Sequence, residues 1–242
     1  MRRFFVEGSS ALGECVALTG GDAHKLVDVL RAAPGDRLEI LDGRSRRFAG
    51  VVRQASRERV LVELVEELAA ADRESTLAVT LVQGIPKGQK MDFVVEKAVE
   101  LGVARIIPLL TERSVARAEG RKVERWRRLA KAAATQSGRT RIPPLSEPMT
   151  LDRVLALGSE HDAVIMPWEL AEPRPLADRL AEIPSARRLL ALIGPEGGFS
   201  QREAEQAHAA GALLISLGPR ILRTETAGVV LIAALLALRR EL

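Results

Sequence analysis

Shortages in this sequence exclude several chemistries. Cys15 is the one cysteine among 242 residues, so an intramolecular disulfide and a thiolate metal cage are both impossible. The three histidines, His24, His161 and His208, are too scattered for metal-ligand spacing, and no metal site is expected. Tyrosine is absent, and Trp126 and Trp168 are the two tryptophans. With so few large rings, both indoles read as packing anchors sooner than as platforms for nucleobases. Long apolar runs are missing too. The longest, residues 227–238 with one glycine inside it, falls short of the roughly 20 residues that span a bilayer. At the start of the chain, Glu7 arrives before a signal-like apolar region can form. A soluble, cytoplasmic protein without membrane or metal partners is expected.

What is present points elsewhere. Hydrophobic residues make up 47% of the chain, enough for a substantial core. The formal charge of +4 is unevenly spread. Residues 1–73 balance 12 Lys/Arg against 12 Asp/Glu, residues 86–147 hold 14 against 7, and residues 148–242 hold 10 against 12. A local positive surplus suits a polyanionic partner, although a solvated basic helix would look the same.

Two patterns follow one another along the chain. Apolar runs at 38–41, 48–52 and 60–65, separated by turn residues such as Asp42-Gly43 and Pro34-Gly35-Asp36, predict short strands after a helix at 23–30. A polar stretch at 69–75 reads as a linker. Beyond it, strands at 77–82, 105–109, 163–166, 189–193 and 213–217 alternate with helices at 89–101, 122–137, 202–210 and 225–240. That alternation predicts an α/β domain with a parallel sheet covered on both faces.

Chemistry concentrates after two of these strands. Residues 193–200, Ile-Gly-Pro-Glu-Gly-Gly-Phe-Ser, enter a helix through a Ser200-x-x-Glu203 capping box. Ligands of open α/β sheets bind at the carboxyl ends of strands, and glycines there admit close backbone approach. A tight turn needing glycine geometry is the plainer alternative. The loop lacks the Lys and Ser/Thr of a P-loop and the dinucleotide spacing. Residues 217–227, Leu-Gly-Pro-Arg-Ile-Leu-Arg-Thr-Glu-Thr-Ala, expose a second puzzle. Ile221 and Leu222 are apolar in a charged loop and need a partner, whether core or an adenine face. Thr224 or Thr226 can cap the final helix, which is apolar on nearly every face and should be buried, against its own domain or a second subunit.

Together these two segments closely resemble the RsmE family, methyltransferases that form 3-methyluridine in small-subunit ribosomal RNA. The likeness extends to residues 83–92 (Gln-Gly-Ile-Pro-Lys-Gly-Gln-Lys-Met-Asp) and 96–103. It takes in Trp126, Ala133-Ala134, Gln136-Ser137-Gly138-Arg139 and, near the N-terminus, Arg3-Phe4-Phe5, His24, Val29-Leu30-Arg31, Gly35-Asp36 and Asp42-Gly43. Thr135 departs from it, standing where an acidic residue is expected.

The resemblance implies a PUA-like RNA-binding β-barrel over residues 1–72 and a SPOUT domain with a deep trefoil knot over residues 73–242. It further implies S-adenosyl-L-methionine as methyl donor, a homodimer, and 16S rRNA as substrate within the assembled small subunit. Carried onto this chain, the donor site comprises Met166, Leu192, Ile193, Gly194, Pro195, Glu196, Gly197, Gly198, Leu217, Gly218, Ile221, Leu222, Thr226 and Ala227. In it Ile221 and Leu222 wall the adenine, and Glu196 offsets the donor's positive charge or caps its own loop. For catalysis, Arg223 holds the uracil carbonyls and stabilises the uridinate, while Glu225 orients Arg223 or accepts the proton. An acid at a helix N-terminus is favoured as its anion, which leaves the main role to the arginine; a merely structural Arg223–Glu225 pair is the alternative. RNA contacts are expected from Arg2, Arg3, His24, Arg31, Arg44 and Arg46, and from Lys87, Lys90, Arg139 and Arg141 beside the catalytic cleft. A SPOUT enzyme acting on another RNA position and a non-catalytic RNA-binding protein of ribosome assembly fit many of the same residues. A nucleotide-binding hydrolase fits less well, since the glycine loop has no lysine.

Overall fold

The computed structural model describes residues 2–6, 8, 10–69, 73–114, 120–174 and 176–242. The chain forms two compact units, one of residues 1–74 and 134–142 and one of residues 75–133 and 143–242. The boundary expected at 72/73 falls beside residues 70–72, which lie outside the described residues.

The smaller unit contains β1 (Arg2–Phe5), β2 (Cys15–Thr19), α1 (Gly20–His24) running into a π-helical turn at Lys25–Val29, β3 (Arg37–Leu41), β4 (Arg47–Ala55) and β5 (Arg59–Leu68). They form one sheet in the order β1-β3-β4-β5-β2. β1 runs parallel to β3, and the other pairs are antiparallel. Val60, Val62 and Leu64 alternate onto the face that carries Leu38, Ile40, Phe48 and Val52, closing a core with Phe4 and Leu26. The β3–β4 turn is fixed by Asp42, whose Oδ1 accepts from the Arg44 and Arg46 N–H groups at 2.7 and 3.1 Å. β1 and β2 lie outside the strands expected from sequence. Neither Arg-Arg-Phe-Phe nor Cys-Val-Ala-Leu-Thr has a long local pattern, and both are strands because β3 and β5 pair with them.

The larger unit runs β6 (Ala78–Gly84), α2 (Lys90–Glu100), β7 (Arg105–Leu110), α3 (Gly120–Ser137, its last residues counted with the smaller unit), β8 (Met149–Thr150) and α4 (Leu151–Ala156). It continues with β9 (Ala163–Pro167), α5 (Leu176–Leu180), β10 (Arg188–Ile193), α6 (Gln201–Ala209), β11 (Leu213–Ile215) and α7 (Thr224–Leu238). The sheet order is β11-β9-β10-β6-β7-β8, and every pairing is parallel. Alternate side chains of β6 and β10 face opposite layers. Val82, Leu190 and Leu192 join the α4 and α6 side with Phe199, Ala204 and Ala207. Leu81, Gln83 and Ile193 face α7, where they surround Gly228. The sheet is thus covered on both faces, as the near-continuous apolar strands predict. The short β8, α4 and α5 went unpredicted, each having too few residues to carry a period.

Candidate functional site

The carboxyl ends of β11, β9 and β10 lie side by side, so the segments that leave them converge at one edge of the sheet. The glycine loop after β10 is wound tightly. Gly198 N–H donates to Pro195 O at 2.9 Å, and Gly198 adopts φ +65°, which an L side chain resists. A Cβ at Gly194 would meet the Gly198 backbone at 3.0 Å, and one at Gly84, at the end of β6, would meet Pro195 N at 2.5 Å. Here the glycines are required for backbone to lie on backbone. Ser200 and Glu203 form the expected capping box on α6.

A buried relay joins this loop to α7. Gln83 Nε2 donates to Thr224 Oγ1 at 2.8 Å, and that hydroxyl donates to Gly194 O at 2.5 Å. Thr224 does not cap α7 as expected; Arg223 occupies the N-cap position without a side-chain bond. The Thr224 hydroxyl is spent on the loop. Gln83 is a polar residue in an apolar strand, wholly buried, and such residues signal a specific partner.

Charge is arranged around the same loop. Glu196 Oε1 accepts from Lys87 N–H at 3.0 Å and from Lys90 Nζ at 2.9 Å. Burial pushes its carboxyl up, but the Lys90 ammonium and the Lys87 N–H outweigh this and hold it below the ordinary carboxylate range. Lys90 Nζ also lies 3.9 Å from Glu225 Oε2, a buried oxygen with no hydrogen bond. Two expectations change as a result. Lys90 is neutralised between two carboxylates, so it is a poor phosphate ligand, and the negative charge of Glu196 is already met by Lys90. Nor do Arg223 and Glu225 form an ion pair among the described residues; Glu225 turns to Lys90, and Arg223 is exposed without a side-chain partner.

The other expected donor-site residues divide into two groups. Met166, Leu192 and Ile193 are at most 2% exposed; their side chains brace the loops from within the core. Gly218 and Thr226 are exposed, while Leu217, Leu222 and Ala227 are half-buried. Ile221 is 98% exposed, which rules out the core as its partner. Trp126 is buried and Trp168 packs on the core, so both indoles are packing anchors. Two nearby residues went unnoticed in the sequence. Arg113 Nη1 donates to Gly197 O at 2.7 Å, and the Glu169 carboxylate stands over Gly198. Only tertiary proximity marks them out.

The RNA candidates of the smaller unit also separate. Arg31 and Arg44 are exposed with side chains free of hydrogen bonds among the described residues. Arg2 is exposed and tethered to Leu30 O, Arg141 is exposed and bonded to Ser45, and His24 is exposed beside Asp28. Arg3 pairs with Glu39, and Arg46 is bidentate on Glu67 and lies over the Phe48 ring. Arg139 is 4% exposed and locked on Glu74. It belongs to the smaller unit by its contacts, and its burial removes it from the phosphate-binding set. In the larger unit, the Lys87 side chain is exposed.

Comparison with known proteins places this arrangement. An RNA methyltransferase domain model matches residues 73–236, and an RNA methyltransferase PUA domain model matches residues 18–65. Ribosomal RNA small subunit methyltransferase E of Bacillus subtilis is 30% identical, over 97% of this chain and 96% of that protein. The chain belongs to the ribosomal RNA small subunit methyltransferase E family. Its relative in Synechocystis is 33% identical, over 98% of this chain and 77% of that protein. The crystal structure of the Neisseria gonorrhoeae family member bound to S-adenosyl methionine superposes with a TM-score of 0.87 at 34% identity, covering 98% of each chain. A Legionella pneumophila methyltransferase solved with bound S-adenosylmethionine gives 0.82 at 32% identity, over 97% of this chain and 96% of that one. The α/β class, the PUA segment and the family membership expected from sequence therefore stand.

Proposed function

We propose that the protein is an S-adenosylmethionine-dependent methyltransferase that methylates N3 of a uridine in 16S rRNA, with residues 1–72 engaging RNA and residues 73–242 transferring the methyl group. The observation that carries this reading is the emergence of two glycine-bearing loops from the same edge of a parallel sheet, on either side of β9, in a chain whose methyltransferase domain model spans both. The residues suit the donor. The glycine loop carries no side chains at Gly194, Gly197 and Gly198 to block a ligand's approach, and the exposed Ile221 offers an apolar surface for adenine. A knot, with β10 between β6 and β9 and α7 returning onto α2, β6 and β10, would hold both loops at fixed separation.

When bound, the donor supplies an electrophilic methyl group on a sulfonium. The protein's own task is to hold the uracil ring in line and to favour loss of its imide proton. Arg223 is suited to the second task. Its guanidinium leads into α7 with no side-chain partner among the described residues, and a fixed cation beside the uracil carbonyls stabilises charge as it develops. Much of the remaining rate comes from orienting two bound substrates. The homodimer, the assembled subunit as substrate and a cytoplasmic location belong to the same proposal.

Mass mapping of ribosomal RNA from a deletion strain tests it. One methyl group on one 16S uridine should vanish and return with the intact gene. Loss of a ribose 2′-methyl or a tRNA mark would assign a different target, and an unchanged map together with no calorimetric heat from S-adenosylmethionine would leave a non-catalytic RNA-binding protein.

A further inference from the structure

Glu169 follows β9, the strand between β11 and β10, so it rises between the two loops assigned to the donor. Both of its carboxylate oxygens face one point. A Cβ built on Gly198 would lie 3.0 Å from Oε1 and 3.2 Å from Oε2. Gly198 has φ +65°, and the absence of a Cβ there lets the Glu169 carboxylate lie close over the loop backbone. Glu169 is exposed and makes no hydrogen bond or ion pair among the described residues, unlike Glu196 and Glu225 nearby, which face Lys90. Its carboxylate is thus left uncommitted beside the loop.

Resting on the donor reading above, we propose that Glu169 accepts hydrogen bonds from the vicinal hydroxyls of the donor's ribose. An ionised carboxylate has two acceptor oxygens and suits paired hydroxyl donors. A carboxylate near a strand end serves the same purpose for ribose in dinucleotide-binding sheets. The position agrees. If adenine rests on Ile221 and Leu222 beyond β11, the sugar attached to it falls over β9, where Glu169 stands. The donor also carries a sulfonium and an ammonium, and the test must separate sugar from charge.

Calorimetry on the full chain does so with S-adenosylmethionine, 5′-methylthioadenosine, which keeps the ribose but has neither cation, and its 2′-deoxy counterpart. Wild type should bind the ribose form of methylthioadenosine about tenfold better than the deoxy form, and E169A should bind both alike, having lost about tenfold for the ribose form. E169Q, which keeps one acceptor oxygen, should fall between. If E169A weakened S-adenosylmethionine but left methylthioadenosine unchanged, the carboxylate would be pairing with the cationic end, and the ribose assignment would fail. Equal binding of all three ligands by E169A and wild type would remove Glu169 from the site while leaving the donor reading intact. Absence of S-adenosylmethionine binding by wild type would overturn that reading and this one together.

Discussion

The loop after β10 and the loop after β11 leave the same edge of one parallel sheet, on either side of β9, yet they are built on opposite lines. The first is bonded from several sides: Gly194 O to Thr224, Gly197 O to Arg113, Glu196 to Lys87 and Lys90, and Ser200 to Glu203. The second is held at its start by Ser216 and Gly218 alone, and it exposes Arg220, Ile221 and Arg223, whose side chains have no hydrogen-bond or ionic partner among the described residues. A preorganised half keeps its backbone groups aimed at little entropic cost on binding. The open half keeps its side chains uncommitted for whatever enters. The first loop should therefore report damage as lost stability and lost binding together, and the second as lost binding or rate alone.

The strongest break of the first loop is Gly84→Ala. Its methyl group would meet Pro195 N at 2.5 Å and Gly194 C at 2.8 Å, so destabilisation of about 1–3 kcal/mol or more is expected. Urea unfolding checks this, and calorimetry should show donor binding abolished. Arg223→Ala is the counterpart in the second loop. Donor affinity and unfolding midpoint should stay unchanged while single-turnover methylation falls about 100-fold; near-normal turnover would end its catalytic assignment. Thr224→Ala removes the hydroxyl that donates to Gly194 O and one of the two acceptors of Gln83 Nε2, the other being Gly84 O; it should cost about 1–3 kcal/mol in urea unfolding, whereas Thr224→Ser keeps the hydroxyl and most of the stability.

Ile221→Ser should leave stability untouched, since the side chain is already 98% exposed, while donor affinity drops about tenfold. A fall in unfolding midpoint would show the loop to be less open than its exposure indicates. The smallest effect concerns pH. The Glu196 carboxyl is held below its ordinary value in the folded protein. Its stabilising contribution is therefore complete above the ordinary carboxylate range and is lost as pH falls below it. In urea unfolding from about pH 7 to about pH 3, the gap between wild type and Glu196→Gln should shrink steadily. A gap that stayed constant would mean that Lys90 does not read the charge of Glu196.

Much of the larger unit is legible in the sequence because each signal is local. The apolar run at 189–193, the glycines after it and the Ser200–Glu203 pair specify strand, loop and helix start within residues 189–203. What escapes is relational. Thr224 looks like a helix cap until Gly194 is seen within reach of its hydroxyl. Lys90 and Arg139 read as RNA ligands by charge alone, and only their carboxylate partners show them to be occupied. Arg113 and Glu169 belong to no pattern at all. Short elements fail for a related reason: β8, with two residues, exists because β7 offers it an edge.

By itself, then, the sequence determined the α/β alternation, both glycine-bearing loops and the family likeness, because periodicity, φ-tolerant residues and motif order are properties of neighbours along the chain. Tertiary structure alone decided which charges are spent and which are free. A polar side chain takes its role from the groups within a few ångströms, and in this sheet those groups come from residues 30 to 141 positions away: Glu196 for Lys90, Gly197 for Arg113, Gly194 O and Gln83 for Thr224.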